Sequence, residues 1–191
     1  MGFDSRLLVA KKFEEDVEAY LESHCGVLAV AKNGTEHTHP DFVDLLRTNN
    51  CCTSKLIRFA PDGVYLSTNK SVFHWEAKAS INIERDAYET YMKYNDMGCQ
   101  VVLFAKDKKD IVYWQFVNEI KFIESADVVA PFPSEHRFPI DDAGWLCPRK
   151  SNRRAGRGSG TPYKEIDFKS MRLIPDFYGQ AVNYELFAKQ R

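Results

Sequence analysis

No uninterrupted apolar stretch in this 191-residue chain approaches the length of a membrane span, and Met1-Gly2-Phe3-Asp4-Ser5-Arg6 lacks the basic-then-apolar order of a secretory signal. The expectation is therefore a protein of the cytoplasm, in some cell or host, with no membrane partner. Charge of one sign is equally scarce. With 26 basic and 27 acidic residues the formal net charge is −1, so any nucleic-acid contact would need a local cluster of Lys and Arg. Cysteine is sparse and poorly spaced: Cys25, Cys51, Cys52, Cys99 and Cys147 are odd in number and form no CxxC pair. A disulfide framework and a structural zinc site are both disfavoured. Cys25 and Cys99 read as buried thiols, Cys51-Cys52 as structural. Nucleotide fingerprints are missing as well. Gly156-Arg157-Gly158-Ser159-Gly160 runs into Thr161-Pro162 rather than into a helix opening with Lys and Ser or Thr, and no Ser-His-Asp order is present.

What the chain does have is core material. Hydrophobic residues make up 44% of it, including 13 Phe, nine Tyr and three Trp, which is enough for a single large α/β domain. Phe13, Val17, Tyr20 and Leu21 recur at helical spacing over residues 4–23, with Gly26 as a stop. Val27–Ala31 reads as a short strand, and Pro40 opens a short helix through Leu46. Lys55–Phe59, Val64–Leu66 and Val72–Lys78 read as strands, the last two flanking a polar turn from Ser67 to Ser71. Helical spacing returns from Glu84 to Met97 and ends at Gly98. Gln100–Ala105 is apolar enough to be buried on both faces, and Ile111–Phe116 is a further strand. This order predicts an α/β fold with a mixed central sheet flanked by helices.

The strand Val72–Lys78 carries the chemistry. Alternation puts Phe73, Trp75 and Ala77 on one face and His74, Glu76 and Lys78 on the other. A carboxylate and an ammonium two positions apart, amid apolar sequence, want a partner or a metal, because burying charge is costly. Folding the hairpin about Asn69 sets residue 62 opposite residue 76, so Asp62 and Glu76 would converge on one face. A one-residue slip would part them, and Gly63 could supply a bulge that adjusts the aim. Two converging carboxylates suit Mg²⁺ or Mn²⁺, and a lysine beside them could orient or deprotonate a water or offset transition-state charge. The bland reading makes Glu76 and Lys78 a surface cross-strand array and gives Asp62 to the Pro-Asp-Gly turn.

Pro61-Asp62, then Glu76-Ala77-Lys78 with 13 residues between the two acids, resembles the PD-(D/E)XK motif of restriction-endonuclease-like nucleases and Holliday-junction resolvases. The likeness covers the order of elements from about residue 4 to residue 117. It implies a restriction-endonuclease-like core over residues 1–125; residues 126–191, with Pro131, Pro133 and Pro139 and a basic stretch, read from their composition as an irregular extension packing on it, in one structural domain overall. It also implies a divalent-metal-dependent nuclease, with DNA preferred over RNA and endonucleolytic cleavage over exonucleolytic. Asp62 and Glu76 would bind Mg²⁺ or Mn²⁺, and Lys78 would assist the water. In that family the first helix often adds an acid; Glu14, Glu18 and Glu22 are candidates, and Glu18 is the one carried forward. The Gln-x-x-x-Tyr motif of some exonuclease branches is not found between Tyr88 and Tyr94; Tyr91 or Lys93 could do a related job.

Other features are weighed beside it. Arg149, Lys150, Arg153, Arg154 and Arg157 lie in a glycine-bearing stretch with no acid between Asp142 and Glu165, suited to a phosphate-contacting arm or to a solvated loop. His37-x-His39-x-Asp41 could ligate metal on a strand but is read as loop polarity. Pro40-Asp41 is the second choice for the motif's first half, since 35 residues separate Asp41 from Glu76. His74 stands at the edge of the expected site. The alternatives to a DNA nuclease are a catalytically inactive PD-(D/E)XK-like module for nucleic-acid binding or assembly, and an RNA-directed nuclease. Room is left for a homodimer or larger assembly.

Overall fold

The periodic apolar residues of the N-terminal segment form helix α1 (Phe3–Ser23). In the computed structural model, which describes residues 3–24, 26–33, 46, 51–129, 139–147, 161–174 and 177, α1 buries Phe13, Val17, Tyr20 and Leu21. It ends where the His24 N–H bonds the Leu21 carbonyl at 3.1 Å and Nδ1 of His24 accepts the Gly26 N–H at 3.0 Å. Strand β1 (Val27–Lys32) follows.

The strand expected at Lys55–Phe59 is a helix instead, α2 (Cys52–Arg58). Five apolar and basic residues are too few for periodicity to separate the two states. Capping decides: Sγ of Cys51 accepts the Ser54 N–H at 3.4 Å, and Lys55 is anchored to Asp86 at 3.0 Å. The helix expected from Pro40 to Leu46 lies, except for Leu46, outside the described residues.

The next elements are β2 (Gly63–Ser67), β3 (Val72–Lys78), β4 (Asn82–Glu84), α3 (Arg85–Asp96), β5 (Val101–Lys106) and β6 (Val112–Phe116). A short helix α4 (Ser125–Val129) and strands β7 (Tyr163–Glu165) and β8 (Arg172–Leu173) complete the described elements, apart from two short 3-10 turns. The main sheet runs β1-β2-β3-β5-β6-β8. Only β3 and β5 are parallel, joined across α3; the other neighbours are antiparallel. Strands β4 and β7 form a separate two-stranded ribbon. The protein is thus mixed α/β around a six-stranded mixed sheet.

Two cores lie on the two faces. Phe73, Trp75 and Ala77 of β3 join Phe104, Trp114 and the apolar stripe of α1 on one side. Val101, Leu103 and Ala105 of β5 join Ala87 and Tyr91 of α3 on the other. Residues 101–105 are each at most 1% exposed, so the apolar run is indeed covered on both faces. The C-terminal third is more than an appendage: β8 extends the sheet, β7 pairs with β4, and the Phe177 ring lies 4.9 Å from that of Tyr20. A division between residues 125 and 126 falls inside α4. Among the described residues no helix is long and apolar enough to cross a membrane.

The β2–β3 hairpin takes the register set by folding about Asn69, with Gly63↔Trp75, Val64↔His74, Tyr65↔Phe73 and Leu66↔Val72. Gly63 makes no bulge. It sits in regular pairing because a methyl group there would collide with the Ala31 carbonyl oxygen and the Trp75 indole. The glycine is a close-approach residue between β1 and the indole. Replacing it (Gly63→Ala) is expected to destabilise the fold by roughly 1–3 kcal/mol, the usual range for overpacking a core, read as a lower urea midpoint at unchanged slope; a midpoint equal to wild type would refute this packing role.

Candidate active site

The hairpin stops pairing just where the acids stand. Ser67 and Ser71 form a hydrogen-bonded pair, with the Ser67 N–H donating to the Ser71 carbonyl at 2.9 Å. Antiparallel ladders alternate, so the hydrogen-bonded pair beyond Gly63↔Trp75 would be residues 61 and 77. Residue 61 is proline, which has a carbonyl but no N–H to give, so that pair could make only one of its two bonds. The regular pairing ends there: the Ala77 N–H donates to Oδ2 of Asp62 at 2.7 Å, and the Asp62 N–H donates to Oε2 of Glu76 at 3.2 Å. Each carboxylate is thus held by the other strand's backbone. Asp62 is also fixed from the β1 side, where its carbonyl accepts the Asn33 N–H at 2.6 Å.

Lys78 and Glu76, two positions apart on β3, form a direct ion pair through Oε1. From α3, Tyr91 donates a side-chain hydrogen bond to Glu76. Glu76 is 2% exposed, which excludes the surface-array reading of this pair. Asp62, Glu76, Lys78 and Tyr91 line one cavity of about 200 Å³, together with Glu14, Lys32, Asn33, Arg58, Phe59, Ala60 and Trp75. Residues from both faces of the sheet meet in it.

Of the first-helix acids, Glu14 and not Glu18 stands on the cavity wall. Glu18 is bound to Lys32 at 2.6 Å and is absent from the cavity wall, whereas Glu14 lies on that wall, close enough to raise Asp62. One helical turn separates the two, and only the seating of α1 on the sheet could choose between them. Tyr91 reaches the site; Lys93 is exposed and does not line it. His74 is half-buried, edge-on to the Tyr94 ring at 4.9 Å, and stands apart from the cavity. Burial lowers its pKa. Arg149, Lys150, Arg153, Arg154 and Arg157 lie outside the described residues, as do His37, His39 and Asp41.

The electrostatics are those of crowded, dry charge. Burial first, then the neighbouring Glu76, pushes the Asp62 carboxyl up to about 8, against the opposing pull of Lys78. Burial alone would lower Lys78, but Glu76 and Asp62 outweigh it and hold the ammonium above the ordinary lysine value. Burial and the same two acids raise Tyr91 far above the usual phenol range, so its hydroxyl remains a donor to Glu76.

Among the described residues no group of three or more His, Cys, Asp or Glu side chains converges at metal-holding geometry. The donors that do meet, Asp62 and Glu76 with Glu14 on the wall, are hard carboxylate oxygens of the kind that Mg²⁺ and Mn²⁺ take while keeping several waters. The donor set fits such an ion.

Arg58, Lys32, Asn33 and Trp75 were not legible as site residues. Arg58 is concealed by the strand-like spelling of α2, and Trp75 reads as core. Neither a protein-family model nor a curated protein sequence matches this chain.

The raised Asp62 carboxyl has a testable consequence for stability. A carboxyl whose folded value exceeds its unfolded one binds its proton more tightly when native. Its contribution is therefore complete below the ordinary value of 3.8 and is lost as pH rises through about 8. Asp62→Asn, which keeps an acceptor for the Ala77 N–H, escapes that loss. In chelator, its Tm advantage over wild type should grow from pH 4 to about pH 8 and then level off. A constant or shrinking difference would contradict this account.

Proposed function

We propose that the protein is a divalent-metal-dependent nuclease of the PD-(D/E)XK kind, hydrolysing phosphodiester bonds, with DNA the preferred substrate. The observation that carries this reading is the meeting of Asp62, Glu76 and Lys78 in one cavity, with each acid held by the opposite strand's backbone. The order of elements is consistent with it: a helix, three antiparallel strands with α2 inserted after the first, the short strand β4, a helix, then a strand parallel to the third.

Asp62 and Glu76 would hold Mg²⁺ or Mn²⁺, with Glu14 near enough to assist through a water. When bound, the ion supplies Lewis acidity towards the phosphate and makes water easier to deprotonate. The protein's own part is positional and electrostatic. The backbone clamp fixes the two carboxylates before any ligand arrives, so little reorganisation is left for the reaction. Tyr91 orients Glu76 through its hydroxyl. Lys78, held charged by the acids, is a donor and a positive charge beside the phosphate rather than a base; it would steady the oxygen that gains negative charge. Glu76 keeps that ammonium from swinging away.

The test is incubation of the full chain with plasmid, linear duplex, single strands and RNA, in Mn²⁺ or in EDTA. Cleavage should require the ion. It should fall by about 10²–10⁴ in each of Asp62→Ala, Glu76→Ala and Lys78→Ala, the scale on which a positioned group assists proton transfer, with circular dichroism unchanged. Binding without cleavage on every substrate, unaltered by the three substitutions, would mark an inactive binding module instead. Cleavage confined to RNA would replace DNA as the substrate.

A further inference from the structure

The paired acids are recessed. Glu76 is buried and Asp62 half-buried, and the cavity they line holds about 200 Å³. Four elements wall it: Glu14 comes from α1, Lys32 from the end of β1, Arg58 from the last turn of α2 and Tyr91 from α3. That volume lies below the roughly 300 Å³ at which clefts for drug-sized ligands begin. It has room for a hydrated ion and a phosphoryl group, not for two paired strands. In a duplex, stacking and pairing hold each nucleotide on the helix, so drawing one into a recess means breaking those contacts. A single strand has no pairing to break.

The wall also carries a stacking surface. The Arg58 guanidinium lies over the Phe59 ring, 5.1 Å from its centroid, and both residues border the cavity. Arg58 forms no ion pair among the described residues, whereas Lys55, one turn earlier on α2, is bound to Asp86 at 3.0 Å. Unpaired bases stack on aromatic rings and on guanidinium planes, with little regard to sequence. A bland account of Arg58 exists, since a cation in the last turn complements the helix dipole. That role asks only for charge, and lysine would fill it. Stacking asks for the plane.

We infer that the site takes single-stranded nucleic acid, with one unpaired base laid against the Arg58–Phe59 stack while the adjoining phosphate enters the recess. That the ligand is nucleic acid rests on the nuclease reading above; the preference for an unpaired strand goes beyond it. The helix α2, inserted between β1 and β2, thereby sets which form of substrate is accepted.

The experiment measures the Kd of the full chain, by fluorescence anisotropy, for a short labelled DNA strand of mixed sequence and for the blunt duplex of the same sequence. Both are titrated in EDTA and again with Ca²⁺. The single strand should bind at least about tenfold more tightly, equivalent to about 1.4 kcal/mol. Arg58→Lys, which keeps the charge and removes the plane, should raise the single-strand Kd about fivefold or more, the lower end of what losing one stacked base costs. Phe59→Leu should do the same, and neither should move the duplex Kd. Duplex bound as tightly as the single strand overturns the inference, as does the absence of binding to either in both conditions. A single-strand Kd unchanged in Arg58→Lys overturns the stack as its cause. Cleavage in Mn²⁺ is scored separately: a protein that cuts duplex as readily as single strand loses the inference and keeps the nuclease reading, and one that prefers the single strand but never cuts does the reverse.

Discussion

The structure turns on a reciprocal clamp at the open end of one hairpin. Regular β2–β3 pairing ends at Gly63↔Trp75, and just beyond it the Ala77 N–H donates to the Asp62 carboxyl and the Asp62 N–H to Glu76. Two backbone donors are spent on two side chains. Without that exchange the acids would repel and point apart, because burying like charges together is unfavourable unless hydrogen bonds or a cation compensate. Everything chemical in the cavity depends on this. Lys78 is charged because the acids are there, and Tyr91 is aimed because Glu76 is fixed.

The surrounding fold is arranged to keep that end of the hairpin rigid. On one face Phe73 and Trp75 pack into the aromatic core against α1, and on the other α3 lays Tyr91 over Glu76. Gly63 lets β1 and the Trp75 indole approach closely, which draws Asn33 within 2.6 Å of the Asp62 carbonyl. Rigidity of this kind is what preorganised electrostatics needs. It also carries a cost in stability, visible in an aspartate that resists ionisation.

Local pattern and tertiary seating divide the legibility of this protein unevenly. The alternation of β3 was enough to separate Phe73, Trp75 and Ala77 from Glu76 and Lys78, because the period of a strand is a property of the backbone alone. The symmetric spacing about Asn69 was enough to set Gly63 against Trp75, since a short polar turn leaves little freedom of register. By contrast, α2 was misread because a cap outside the five-residue run fixed its state. Glu14 and Glu18 were indistinguishable because one helical turn apart means similar exposure in sequence and different neighbours in space. Strands β4, β7 and β8, of three residues or fewer, carry too little pattern to announce themselves.

The amino-acid sequence by itself pointed to the pairing of acids and amine, because the strand period and the turn spacing both act within about 20 residues. Only the tertiary structure decided what surrounds them. That Glu14 faces the cavity, that Glu18 holds Lys32, and that Arg58 borders the same space all follow from how α1 and α2 seat against the sheet. Those placements are set by packing between segments far apart in the chain, and no local rule encodes them.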